Sequence, residues 1–191
     1  MTADDIAEKV DENAGAIEIL LEQHNQIKQL FALVESTEGE ARQREFDHLR
    51  ALLAVHETAE EEVLRPVTRD AIPQGDAVAD ARMAEENEAK EVLAKLEKMG
   101  CESPEFMTTF QQFKRSVLAH AEHEEHEEFP GVRSSKSAED LKKMGKRIKM
   151  AEKMAPTHPH PSAKTTTANY LAGPFAAMLD RVRDHMKSSS D

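Results

Sequence analysis

The chain has 191 residues, which is enough for one domain with a real core and short for two. Charged residues make up 32% and aromatic residues 4%, a balance that favours amphipathic helices over sheets. The formal net charge of −12 argues against nucleic acid or an anionic membrane as the principal partner. Because no run of about 18 apolar residues occurs and the N-terminus is polar, we expect no membrane span and no secretory signal, hence a cytoplasmic protein, favoured as a monomer.

The first strong helix is predicted from about Ala14 to Ser36. Its apolar residues follow the i, i+3, i+4, i+7 spacing of a core-facing stripe: Ile17, Leu20, Leu21, Ile27, Leu30, Phe31 and Val34. His24 lies seven residues from both Ile17 and Phe31, so we predict that it points into the bundle. The preceding residues 2–12 could form a short polar helix, to which we assign no function.

A second helix is predicted from about Ala41 to Thr68. Its inner stripe reads Phe46, Leu49, Leu53, His56, Glu60, Val63 and Val67. His56 and Glu60 share a face because positions i and i+4 lie on the same side of a helix. Pro66 should kink or loosen the last turn.

The third helix, about Asp76 to Met99, carries few inward residues, and Gly100 fits its C-terminal cap. These residues are Ala79, Met83, Glu86, Leu93 and Leu96. Glu86 keeps the inward phase of a ligand, but a single Glu there could equally reach solvent or pair with Lys90.

The fourth helix is predicted to start after Ser103-Pro104-Glu105 and to end at Phe129-Pro130-Gly131. Its inward residues are Phe106, Phe110, Phe113, Val117, His120 and Glu124. His120 and Glu124 repeat the spacing of the second helix. His123 and His126 fall off the inward line, which indicates surface groups or groups that support the ligands.

The remaining segments follow the four long helices. Ser137 is predicted to cap a fifth helix, about Ala138 to Met154, with one apolar face made of Leu141, Met144, Ile148 and Ala151. Residues 155–167 are interpreted as a Pro-rich linker that contains His158 and His160, and Tyr170 begins a last amphipathic stretch that could lie over the open end of the bundle. Cys101 is the single cysteine and is interpreted as a loop thiol rather than a nucleophile.

Inward histidines and carboxylates are the ligands that iron and manganese bind in helical bundles. A lone inward His is more often a core residue, but here three His and at least two carboxylates take inward positions on four helices. Burying unpaired carboxylates costs several kcal/mol each unless cations neutralise them. We therefore predict a shared metal site, and we interpret the flanking Glu57, Glu125, Glu127 and Glu128 as a solvated face.

Residues 14–130 resemble the hemerythrin-like family, also called the HHE cation-binding domain. The resemblance is carried by QHNQIKQLF in the first helix, HETAEEEVLRP in the second and HAEHEEHEEFP in the fourth. It implies that two iron ions form a non-heme di-iron centre, in which manganese or zinc could replace iron, with ligands His24, His56, Glu60, His120 and Glu124. Glu60 and Glu124 are then the expected bridges. Family members usually place a His where Glu86 stands, a departure that disfavours reversible O2 binding.

Together these observations predict an all-α protein: an antiparallel four-helix bundle over residues 14–130 and additional C-terminal helices within residues 131–191. The expected function is to bind, sense or detoxify O2, peroxide or nitric oxide species. The alternative is an iron or metal store or donor without redox turnover. A third hypothesis is a structural bundle that holds no metal.

Overall fold

A computed structural model describes residues 14–154 of the chain. Its α-helices are α1 (Ala16–Ser36), α2 (Gly39–Ala59), α3 (Arg65–Ala71), α4 (Gly75–Met99), α5 (Phe106–His123), α6 (Phe129–Ser135) and α7 (Ala138–Met154). Two five-residue π-turns, Glu60–Leu64 and Glu124–Glu128, join α2 to α3 and α5 to α6. The long helices α1, α2–α3, α4 and α5–α6 form the predicted antiparallel bundle, and residues 14–154 contain no strand.

Two apolar cores fill the described part of the chain. The larger core contains Phe31, Phe46, Phe106, Phe110 and Phe113, and the rings of Phe31 and Phe110 lie 5.4 Å apart. The smaller core joins the start of α1 to both π-turn regions and to α7. Along α1, α2 and α5 the predicted ligands fall between members of the two cores, so the polar site lies between two apolar layers.

The predicted apolar stripes are confirmed. Almost every residue assigned to an inward position is buried, and the half-buried exceptions are Leu21, Val67 and Met83. Gly100 caps α4 as predicted, with φ of 75° and its N–H donating to the carbonyl of Leu96.

The two prolines near the site behave alike. The predicted loosening at Pro66 is present as the π-turn that precedes it. The prediction that Phe129-Pro130-Gly131 ends the fourth helix is wrong, because α6 continues to Ser135. Each proline stands in the first turn of the helix that follows a π-turn, where its missing N–H breaks no needed hydrogen bond.

The helix α7 packs onto the bundle. Ser137 caps it as predicted: the Asp140 N–H donates to Ser137 Oγ at 3.1 Å, and the hydroxyl donates to Asp140 Oδ2 at 2.7 Å. Its predicted apolar face is buried, mostly in the smaller core. The predicted helix at residues 2–12, the linker with His158 and His160, and Tyr170 lie outside the described residues.

Cys101 lies in the turn after α4 and is buried in the larger core. Burial raises the pKa of its thiol to about 11. A buried thiol that stays protonated at neutral pH is a poor nucleophile, which agrees with the sequence interpretation. Among the helices of residues 14–154, none is both long and apolar enough to span a bilayer.

The contact between α7 and the start of α1 generates a stability prediction. A Cβ added at Gly145 would lie 2.5 Å from the carbonyl oxygen of Ala14 and 3.1 Å from Ile19 Cδ1. Gly145→Val should therefore lower the free energy of unfolding by about 1–3 kcal/mol in urea denaturation, although valine is the better helix former.

Met150→Val is the matched control, since Met150 is exposed on the same helix. We expect it to change the free energy of unfolding by less than about 0.5 kcal/mol. Equal stability of Gly145→Val and the unmodified chain would show that α7 does not pack against α1 in solution.

Candidate metal centre

Six predicted ligands converge between the two apolar cores. All six are at most 6% exposed: His24, His56, Glu60, Glu86, His120 and Glu124. They belong to two overlapping groups, and within each group the possible ligand atoms lie within 4.8 Å of one another. The first group is His24, His56, Glu60 and Glu124, and the second group is Glu57, Glu60, Glu86 and His120. Glu60 belongs to both, so its carboxylate lies where the two groups meet.

The two π-turns place the paired ligands. His56 and His120 lie in the last turn of an α-helix, and Glu60 and Glu124 are the first residues of the following π-turns. His56 Nε2 lies 3.6 Å from Glu60 Oε1, and His120 Nε2 lies 3.3 Å from Glu124 Oε1. In both halves a proline follows the glutamate by six residues. Each pair therefore lies at the same local feature, a π-bulge in the helix, which is found often at functional sites.

Each of the three histidines is fixed through its Nδ1 atom. The contacts are His24 Nδ1 with Glu125 Oε1 at 2.8 Å, His56 Nδ1 with Gln23 Oε1 at 2.8 Å, and His120 Nδ1 with Glu85 Oε2 at 3.0 Å. When the Nδ1 proton is donated to such an oxygen, the Nε2 lone pair is left for a metal. All three Nε2 atoms could therefore serve as metal ligands.

Several buried polar atoms at the centre have no hydrogen-bond partner among the described residues. They are His24 Nε2, His120 Nε2, Glu57 Oε2, both carboxylate oxygens of Glu60, Glu86 Oε2 and Glu124 Oε2. Leaving a buried polar atom unpartnered costs about 1–3 kcal/mol. Cations would satisfy these atoms together, and imidazole nitrogen with carboxylate oxygen suits iron, manganese and zinc. The residues present therefore fit a metal centre.

The electrostatics of Glu57, Glu60 and His56 agree with this fit. Burial, and after it the charge of Glu86, raises the pKa of Glu57 well above its usual value. Burial and the charge of Glu124 do the same to the pKa of Glu60. Burial and the neighbouring His24 ring hold the pKa of His56 well below its usual value, which keeps the imidazole neutral as a ligand requires.

Comparison with known proteins identifies the family. The family model for the hemerythrin HHE cation-binding domain matches residues 15–132. The chain belongs to this family. The family supports a metal-binding protein, and the two overlapping groups are residues of the described part of the chain that could hold a metal.

Individual relatives of this hemerythrin-like chain differ in length. An uncharacterized hemerythrin-like protein of Schizosaccharomyces pombe is 30% identical over 137 residues, which are 71% of this chain and 68% of that one. A DNA nickase of Nostoc is 28% identical over 130 residues, and this chain spans only 36% of that protein's length. The crystal structure of a hemerythrin HHE cation-binding domain-containing protein from Mycobacterium kansasii matches with a TM-score of 0.67 and 22% identity, covering 88% of this chain and 99% of that one. That likeness shows the shared fold.

The solvated face predicted for this hemerythrin-like chain is partly wrong. Glu57 and Glu128 are buried, and Glu125 is half-buried against His24, whereas Glu127 is exposed as predicted. Glu57 lies next to His56 and turns toward α4, where it joins the second group. Glu128 lies one turn after Glu124 on the same side of the chain, and that spacing is the signal that could have placed it inside.

The structure also shows the surroundings of Glu86, His123 and His126. Glu86 is buried rather than exposed to solvent, and its Oε2 atom lies 3.7 Å from Lys90 Nζ, so it joins the second group and pairs with lysine as well. His123 Nδ1 lies 2.8 Å from Glu85 Oε1, so it supports the carboxylate that fixes His120. His126 is exposed, and its Nδ1 atom contacts the backbone oxygen of Glu122.

Arg65 is a functional residue that the sequence reasoning missed. It is buried, and its Nη2 atom lies 2.6 Å from Glu86 Oε1 and 2.5 Å from Glu124 Oε1. Its Nη1 atom lies 2.6 Å from Glu128 Oε2. Burial alone would lower the pKa of Arg65, but the carboxylates of Glu60 and Glu124 raise it, so the guanidinium is a permanent charge inside the centre.

A matched pair of substitutions tests the ligand assignment in the fourth long helix. His120→Ala removes an imidazole whose Nε2 atom faces the centre. We therefore expect the affinity for metal to fall at least about tenfold, and the metal content of the purified variant to fall with it. His126→Ala removes an exposed imidazole and should leave metal content unchanged. Elemental analysis of the two purified variants measures this. Equal losses in both would mean that the inward phase of the helix has been assigned wrongly.

Proposed function

We propose that this hemerythrin-like chain holds two iron ions and uses them to reduce or bind a small oxidant, either O2, peroxide or a nitric oxide species. The observation that carries the proposal is the pair of four-residue groups that share Glu60. Each group supplies four ligand side chains, and each combines imidazole with carboxylate, the donors of non-heme di-iron sites in helical bundles. Manganese or zinc could take the same donors.

The proposed division of ligands follows the two groups. One ion would be held by His24, His56, Glu60 and Glu124, and the other by Glu57, Glu60, Glu86 and His120. Two ferrous ions held there would supply one electron each to the oxidant, and both ions would become ferric as the oxidant is reduced. The chain supplies fixed ligand positions, because the histidines are held through Nδ1 and the carboxylates lie on four different helical segments.

A small cavity beside the histidines supports the proposal that the ligand is a small molecule. It is lined by the rings of His24, His56 and His120 and by apolar side chains that include Ile27, Leu53 and Val117. The cavity has room for about one water-sized molecule. Its small volume excludes bulky substrates, whereas a diatomic molecule or peroxide is close in size to the space available.

The charge of the second group favours reduction over reversible carriage of O2. Glu57 and Glu86 add two carboxylates at positions that border the second ion. Negative charge in a site of low dielectric constant favours the higher oxidation state of a metal. We therefore expect di-ferric iron to be the resting form of the centre.

Storage or donation of iron is the competing function, and the burial of the ligands argues against it. Glu60 and Glu124 are fully buried, and ligands come from all four long helices. Exchange of an ion would then require the bundle to open locally, which slows release.

Metal analysis with an optical spectrum tests the proposed function. We expect two irons per chain after anaerobic reconstitution with Fe(II), and ferric absorption bands that appear on addition of peroxide. We also expect a chelator to lower the thermal midpoint, because metal binding offsets the repulsion of buried carboxylates. Loosely held iron without a peroxide response would favour storage instead. Failure to take up any metal after reconstitution would exclude both functions.

A prediction about Glu86 follows from the charge of the site. Glu86→His replaces an anion by a neutral imidazole, so the reduction potential of the iron-loaded protein should rise. Redox titration followed by absorption measures the potential of both forms. Glu88→Gln is the control, since it also removes one negative charge from α4 but at an exposed position. An unchanged potential in Glu86→His with full iron content would show that α4 supplies no ligand.

A further inference from the structure

The position of Arg65 is fixed by the first π-turn. The backbone N–H of Arg65 donates to the carbonyl of Glu60, so the π-turn stacks the arginine over the candidate bridging residue. The guanidinium then lies within hydrogen-bond distance of Glu86, Glu124 and Glu128 and 3.6 Å from Glu60 Oε2. Three of these four carboxylates belong to the metal-binding groups.

The backbone itself does not require an arginine at this position. The second π-turn has the same geometry, with the backbone N–H of Phe129 donating to the carbonyl of Glu124, and Pro130 follows Phe129 as Pro66 follows Arg65. There the side chain is a phenyl ring that stacks on His24 with ring centroids 5.6 Å apart. Because phenylalanine occupies the equivalent position after the second π-turn, the backbone geometry does not explain the arginine. We therefore attribute the role of Arg65 to its charge.

The Arg65 guanidinium contacts carboxylates that would also bind the metals. Arg65 donates hydrogen bonds to the Oε1 atoms of Glu86 and Glu124. The Oε2 atoms of both residues have no hydrogen-bond partner among residues 14–154. Lys90 also lies near Glu86, but its ammonium group is 3.7 Å from that carboxylate and is partly exposed. Arg65 is therefore the cation most deeply placed among the carboxylates in the described part of the chain.

We propose that Arg65 is a built-in counter-cation of the metal centre, which keeps the metal-free bundle folded and in return weakens metal binding. The inference rests on the proposed metal site. A cation that neutralises carboxylates before the metals arrive leaves less repulsion for the metals to relieve. Arg65 is thus a positioning and charge-balancing residue rather than a ligand.

Two substitutions in the full chain test this role by separating charge from size. Arg65→Gln removes the charge and keeps a hydrogen-bonding group, whereas Arg65→Lys keeps the charge. Thermal midpoints are measured by circular dichroism in chelator and in excess Mn(II), and Mn(II) binding to the metal-free protein is measured by calorimetry. Arg65→Gln should widen the midpoint difference between the two conditions by at least about 5 °C and tighten Mn(II) binding several-fold. Arg65→Lys should stay close to the unmodified chain in both.

Arg50→Gln is the matched control, because Arg50 is another buried arginine of the same long helix. It pairs with Asp47 and Glu97 and contacts no member of the metal groups in the described structure. We expect it to lower both midpoints equally. Equal lowering by Arg65→Gln, or weaker Mn(II) binding in that variant, would overturn the inference.

The remaining outcomes are also decisive. A variant Arg65→Gln that folds only with Mn(II) would support the inference in its strongest form. One that stays unfolded with Mn(II) would overturn it, since bound metal should replace a counter-cation. If the unmodified chain binds neither Mn(II) nor Fe(II), the proposed function fails as well. If the unmodified chain binds metal and Arg65→Gln has the same midpoint difference and the same Mn(II) affinity, only the role of Arg65 is rejected.

Discussion

The burial of several carboxylates at one level of a helical bundle is the constraint on which the rest of the structure depends. Glu57, Glu60, Glu86, Glu124 and Glu128 lie inside the protein and share a small volume. Like charges at this distance and depth repel strongly, and each also loses its hydration. Such a cluster can persist only if cations or protons accompany it, and the geometry of the surrounding residues is arranged for cations.

The apolar layers make that arrangement possible. The phenylalanine-rich core lies on one side of the carboxylates, and the core that includes α7 lies on the other. Together they pack the helices against one another on both sides of the polar site. The free energy of this apolar packing offsets part of the cost of burying unpartnered ligands.

The fold could be predicted from the sequence because its signals are periodic and local. The apolar stripes, Gly100 and Ser137 each depend on spacing within one helix, and these features survive in the structure. The inward positions of His24, His56 and His120 followed from the same periodicity. The division of the inward residues into two groups could not be predicted, because this division depends on distances between helices.

Sequence reasoning missed Arg65 for a physical reason. A helical phase computed at a constant 3.6 residues per turn fails where a π-turn adds a residue, and each π-turn begins at the glutamate of a predicted ligand pair. Arg65 directly follows the first π-turn, five residues after Glu60. The proline six residues after each glutamate was visible in the sequence. It was interpreted as a kink or a stop, although it marks a bulge within a continuing helix.

The two groups also offer unequal sets of ligand atoms. The first group presents two imidazoles and two carboxylates, whereas the second presents one imidazole and three carboxylates. The fixing contacts do not separate the groups, since His24 of the first group and His120 of the second are both held by carboxylates, and His56 is held by the amide of Gln23. The difference therefore lies in the number of carboxylates. An ion in the second group would meet more negative charge, so that of the two irons we propose, the one beside Glu86 would be the easier to oxidise.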